Sequence, residues 1–195
     1  MANKKLPEIL DRSEADLLFK QINIRYIRGK RNMAIFKLML NSGLRVSEIC
    51  NLKNKDINLD KQFLKVEAGK GNKDRLIPFP AALVPYIKDW INEKTKRGLE
   101  SKYLFCSYSK GQEGKKLIPR YIQINLKNYI KRAGIDKDIH PHSLRHSYAT
   151  SVYTQTKDLE GLRRLLGHAN IQTTTIYTNL STIDLKNTIA NFTAF

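Results

Sequence analysis

A mainly α fold with one small antiparallel β-sheet (α+β) is what the sequence predicts, and three observations predict it. Apolar residues recur at helical spacing along most of the 195-residue chain. One stretch, "FLKVEAGKGNKDRLIPFP" from Phe63 to Pro80, breaks that period and turns on glycines. A 41% apolar content over this length supplies one real core.

Each element follows from local chemistry. "SEAD", Ser13 to Asp16, offers an N-cap with an acidic residue three later, and Leu17, Leu18 and Ile22 follow at helical spacing. A second apolar-periodic run, Met33 to Leu40, stops at "NSG", where Asn41 and Gly43 suit a left-handed cap. "LRVSEICNL" then makes a new short helix. Phe63, Leu64 and Val66 run into Gly69 to Asn72 and out through Leu76 and Ile77, a β-hairpin with a basic tip. Pro80 opens a helix to about Lys96, "KYLFCS" reads as a short buried strand, and residues 107 to 116 as a Gly/Lys-rich loop. From Arg120 to the end the pattern is helical, with no internal repeat and no low-complexity tail.

Charge narrows the partner. Lys plus Arg number 35 against 18 Asp plus Glu, a net +17 spread from Lys4 to Lys186, which points to a polyanion. No run approaches the length of a membrane span, and no basic segment leads an apolar one at the start, so the expectation is a soluble protein without a membrane partner. Cys50 and Cys106 stand outside any CxxC, which suggests neither a disulfide framework nor a zinc ribbon and fits a reducing, cytoplasmic setting.

The stretch "HPHSLRHSYATSV", residues 140 to 152, gathers three of the four histidines around Arg145. A helix starting near His142 sets Arg145 one turn along on the same face. Taken alone, an H-x-x-R pair is usually an ordinary surface or packed pair. Downstream, in "LLGHANIQTTTIYT", an apolar helix ends at Gly167, His168 follows, and Tyr177 lies nine residues later, where a tyrosine is ordinarily amphipathic packing.

Four boxes in register, "NSGLRVSEICNL", "GKGNKDRLIPFP", "HPHSLRHSYAT" and "LLGHANIQTTTIYT", resemble the catalytic domain of the tyrosine recombinases, the phage integrase and Xer-type family, over about residues 6 to 181. The resemblance places the family's catalytic positions on Arg45, Lys70, His142, Arg145, His168 and Tyr177. It implies a site-specific recombinase that cleaves and rejoins double-stranded DNA through a 3′-phosphotyrosine, with no cofactor, neither metal nor ATP.

The residue types suit that chemistry. Tyr177 would attack phosphorus, and the phosphotyrosine keeps the bond energy for a partner strand's 5′-hydroxyl. Arg45 and Arg145 offer permanently charged planar forks to the non-bridging oxygens, a geometry lysine lacks. Lys70 would protonate the leaving 5′-oxygen, with Lys73 as its rival at the tip, while Lys73 and Arg75 would hold phosphates. His142 would assist the tyrosine or the phosphate, and His168 would donate to a phosphate oxygen. Glu48, three after Arg45, can orient its guanidinium. His146 points about 100° round the helix from Arg145 and suits a supporting hydrogen bond. Tyr148 and Tyr153 read as helix packing, while Tyr26, Tyr121 and Tyr129 have no nearby basic constellation in sequence.

Two departures from the family pattern stand out. Many members carry a helical core-binding domain first, whereas "LPEIL" comes almost at once here; the chain is either one of the short recombinases or an isolated catalytic domain. "TQTKD" before Leu159 lacks the glycine often found there. The expected division is a catalytic domain over 1–181 and a tail over 182–195, in which Leu185, Ile189 and Phe192 share a helix face. In Xer-like relatives such a helix passes to a neighbouring protomer, implying homo-oligomers on DNA, from dimer to tetramer. A type IB topoisomerase and a non-catalytic DNA-binding regulator are the alternatives.

Overall fold

The computed structural model describes residues 7–67 and 74–167. Within them the chain forms α1 (Arg12–Lys20), α2 (Ile27–Ser42), α3 (Val46–Asn51), three short strands β1 (Ile57–Asn58), β2 (Phe63–Val66) and β3 (Arg75–Pro78), then α4 (Val84–Lys96), α5 (Pro119–Arg132), α6 (Pro141–Thr156) and α7 (Leu159–Leu166). Short 3-10 turns occupy Asn54–Asp56 and Ala81–Leu83. The mainly α reading with one small antiparallel sheet holds. No helix among the described residues is long and apolar enough to cross a membrane.

Helix α2 is the axis of the fold. Its Met33, Ala34, Ile35, Phe36, Leu38 and Met39 are all buried, so it is covered nearly all round, with α4 and α6 packed against it. The sheet runs β1-β2-β3 antiparallel. Leu64 opposes Ile77 and Val66 opposes Arg75. Leu64, Val66 and Ile77 face the core while Lys65 and Leu76 face out, the period of two expected of a one-sided sheet. A smaller cluster of Tyr148, Ala149, Leu162 and Leu166 joins α6 to α7.

Several local expectations shift. The N-cap of α1 is Asp11, not Ser13: its Oδ1 accepts from the Glu14 backbone N–H at 2.9 Å, and Glu14 Oε2 accepts from the Asp11 N–H at 2.9 Å. That closes a full capping box two residues earlier, and the Ser13 hydroxyl supports it by donating to Asp11 at 2.7 Å. Helix α2 begins at Ile27, well before Met33, and Asn41 stays inside it. Pro80 precedes a 3-10 turn, with α4 starting at Val84.

"KYLFCS" is buried but joins no named strand; it makes only isolated bridges, Lys53 to Tyr103 and Cys106 to Lys116. Side chains do what a ladder would have done. The Lys94 ammonium donates to the Tyr103 carbonyl at 2.7 Å, the Trp90 indole to the Leu104 carbonyl at 2.8 Å, and the Arg31 guanidinium to the Cys106 carbonyl at 2.6 Å. Three consecutive-region carbonyls are thereby satisfied away from water. Arg31 is 2% exposed and lies 4.6 Å from the Tyr121 ring and 4.7 Å from the Tyr108 ring. Arg132 likewise sits over Tyr129, so Tyr121 and Tyr129, read as standing apart from any basic constellation, each face a guanidinium.

Candidate active site

The site is built where α2 ends. Gly43 closes the helix in the left-handed region, φ +62°, and a Cβ there would overlap the Tyr148 ring and come within 2.9 Å of Leu166 Cδ2. Only glycine meets both demands. Tyr148 thus packs as expected, and burial pushes its phenol pKa up. The tight turn delivers Arg45 to the N-cap of α3 with extended backbone.

Glu48, in the first turn of α3, fixes Arg45 twice. Its Oε2 accepts from the Arg45 backbone N–H at 2.7 Å and its Oε1 from Arg45 Nη1 at 3.0 Å. The same carboxylate also receives Arg75 Nη2, at 3.0 and 2.9 Å to its two oxygens. Arg75 Nε donates to the Leu165 carbonyl at 3.0 Å. Arg75, expected to hold DNA phosphate, instead has its guanidinium engaged inside the protein by Glu48 and the Leu165 carbonyl, on a side chain only 13% exposed.

Arg145 is held differently. It lies one turn into α6, 4% exposed, with Nη1 donating to the Gly43 carbonyl at 2.6 Å and Nη2 to the Leu166 carbonyl at 2.7 Å. These oxygens belong to the C-terminal ends of α2 and α7, where backbone acceptors lack helical partners and the dipoles are negative. Two helix ends thus converge on one buried cation and orient its fork.

His142 occupies the first turn of α6, exposed, behind an extended His140 and Pro141. Desolvation lowers its pKa, and the positive fields of His140, Arg145 and Arg45 lower it further. The charges of both Arg45 and Arg145 thus reach His142, and Arg145 lies one turn along the same helix from it. His146 is half-buried, and desolvation followed by the charges of His142, Arg145 and His140 lowers its pKa too.

The fold thus brings Arg45, His142 and Arg145 together from α3 and α6. Lys70, Lys73, His168, Tyr177 and the 182–195 tail lie outside the described residues. Sequence reasoning missed the Gly43 and Leu166 carbonyls and the inward turn of Arg75. Only the glycine in "SGLR" signalled any of this, since backbone oxygens carry no residue signature. A cavity of about 540 Å³ lined by Arg28, Tyr108, Asn128 and Arg132 lies at the opposite end of α2, roughly 24 Å away along the axis, and holds none of these residues.

Known proteins share this fold. Residues 8–182 match the family described as the phage integrase family. The tyrosine recombinase XerA of Pyrococcus furiosus is 40% identical over 190 residues, covering 97% of this chain and 64% of that protein. A crystal structure of XerA recombinase superposes with a TM-score of 0.82 at 30% identity, over 97% of this chain and 67% of the other. XerH recombinase bound to its palindromic difH substrate after cleavage also gives 0.82, at 28% identity, over 97% and 54%. The chain spans about three fifths of the length of the curated relatives it matches. On the family match, the identity and the shared fold together, this chain belongs to the phage integrase family of tyrosine recombinases.

Proposed function

We propose that the chain is the catalytic portion of a site-specific DNA recombinase that breaks and rejoins strands through Tyr177. One observation carries the reading: two guanidinium groups, Arg45 and Arg145, are held by Glu48 and by the Gly43 and Leu166 carbonyls, and the charges of both reach His142. A planar cation costs conformational freedom to immobilise, and two so placed are what a phosphorane-like transition state requires.

In this reading the Tyr177 oxygen attacks phosphorus, the bond to the 5′-oxygen breaks, and Lys70 supplies the proton that the leaving oxygen takes. Arg45 and Arg145 receive the charge that grows on the non-bridging oxygens. A guanidinium has five N–H donors, so holding carbonyls and receiving a phosphate oxygen are compatible for Arg145. His142, whose imidazole is shifted toward its neutral form by desolvation and by the charges of His140, Arg145 and Arg45, can accept the tyrosine proton. His168 donates to the phosphate. Energy held in the phosphotyrosine drives religation to a partner 5′-hydroxyl, so the cycle as written needs neither metal nor ATP.

The partner is double-stranded DNA, which fits the +17 charge, and the two cysteines outside any CxxC fit a reducing, cytoplasmic setting. XerH is seen on its own DNA site, which supports the same substrate class here. Residues 1–181 form the catalytic domain, and the 182–195 tail docks on a neighbouring protomer as dimers or tetramers assemble on DNA. Deleting 182–195 then reduces cooperative assembly and cleavage; undiminished cooperativity removes that part of the reading.

The test is incubation with nicked suicide duplexes, tiled from the DNA around the gene, in EDTA, with Tyr177→Phe alongside. A denaturing gel shows a protein–DNA adduct for the parent chain and none for the variant. A salt-sensitive gel shift with no adduct from the parent chain instead favours the regulator. Sequence-independent relaxation of supercoils favours the topoisomerase.

A further inference from the structure

The geometry points to Arg75 as a positioning residue for cleavage, one that touches no DNA and acts through Glu48 and the end of α7. This rests on the recombinase reading above. Arg75 and Arg145 take the consecutive carbonyls Leu165 and Leu166, so one helix terminus is gripped by two guanidiniums. The other edge of Arg75 spans both oxygens of Glu48, the carboxylate that holds Arg45. One side chain therefore connects the supports of both catalytic arginines.

The physical need is plain at Arg45, whose side chain is 34% exposed and has its only charged restraint, among the contacts described, in Glu48. Held only by the Arg45 backbone N–H and one exposed guanidinium, the carboxylate could still turn about its own side-chain torsions. Bridged by a second guanidinium that is 13% exposed and anchored to backbone, it cannot swing freely. Arg75 also fixes the chain at Gly167, φ +65°, where an added Cβ would come within 3.0 Å of Nη1 and 3.1 Å of Cδ. That glycine leads directly into His168, and Arg75 follows Lys70 by five positions in sequence. The segments leading to Arg45, Lys70 and His168 thus share one tie.

Arg75→Lys and Arg75→Ala, each also in a Glu48→Gln background, test this on a nicked suicide duplex at saturating protein. We expect single-turnover cleavage to fall about 100-fold, the scale of an ångström-level misplacement, with DNA affinity and its salt slope unchanged. In the Glu48→Gln background most of that loss disappears, because both changes remove the same restraint. Arg75→Lys keeps charge and length but not the two-sided fork, so it folds, by melting midpoint, and still cleaves slowly even where Arg75→Ala unfolds. Wild-type cleavage by Arg75→Lys overturns the proposal, as does an equal loss with or without Glu48. A weakened affinity with a salt slope smaller by about 0.9 and a normal saturating rate marks a phosphate contact and overturns it as well. A parent chain that forms no adduct overturns the recombinase reading and this inference with it; an active parent with fully active variants overturns this inference alone.

Discussion

The two arginines of the site are anchored by opposite chemistry. Arg145 is buried against uncharged carbonyls at two helix ends, whereas Arg45 is a third exposed and tied to a carboxylate that it shares with Arg75. The Gly43 and Leu166 carbonyls orient the Arg145 guanidinium without cancelling its charge, at the cost of burial. A carboxylate cancels part of the field, and sharing Glu48 between two cations restores a local positive excess. Burial against backbone goes with Arg145; a shared ionic support goes with Arg45.

The largest effect should come from breaking the buried anchor. Arg145→Ala leaves two carbonyls unpaired and is expected to lose about 3 kcal/mol of stability, with single-turnover cleavage down about 1,000-fold. Chemical denaturation and the adduct gel read the two losses separately. Gly43→Ala attacks the same anchor from the backbone side: a strained φ plus overlap with Tyr148 should cost about 2–4 kcal/mol, checked by the denaturation midpoint. Glu48→Gln should cost about 1–2 kcal/mol in stability, since the amide keeps part of the hydrogen bonding to Arg45 and Arg75, and slow cleavage by about 100-fold, as loss of Arg75 does.

A pH test sharpens the contrast further. His142 and His146 have pKa values below the ordinary 6.5, so the unfolded chain binds protons that the folded one refuses. Stability is therefore intact above about pH 6.5 and falls as pH drops through the depressed folded values. His142→Gln with His146→Gln should flatten that decline in pH-resolved denaturation. The smallest effect lies outside the site: Lys157 takes a left-handed φ of +56°, a conformation that favours glycine, so Lys157→Gly should stabilise by about 0.5–1 kcal/mol and leave cleavage unchanged.

Much of the fold was legible because it is written in local patterns. The hairpin showed in the alternation of Leu64, Val66 and Ile77, and the end of α2 in Gly43. "KYLFCS" misled because its carbonyls are satisfied by Lys94, Trp90 and Arg31, which arrive from other helices and leave no trace in the segment. Arg75 misled for a related reason: near a basic hairpin tip it reads as a DNA contact, and only the tertiary approach of Glu48 and α7 turns it inward. Arg45, His142 and Arg145 were readable as a group because motif spacing encodes their types. What holds them was not, since half of it is backbone.

The most direct test of the account is to find which atom of the chain carries the DNA. A cleavage adduct trapped on a nicked suicide duplex in EDTA, digested with nuclease and trypsin and sequenced by mass spectrometry, should place the nucleotide on Tyr177 within the peptide spanning residues 165–186. A nucleotide on any other residue, or no adduct from a chain that binds the duplex, would contradict it.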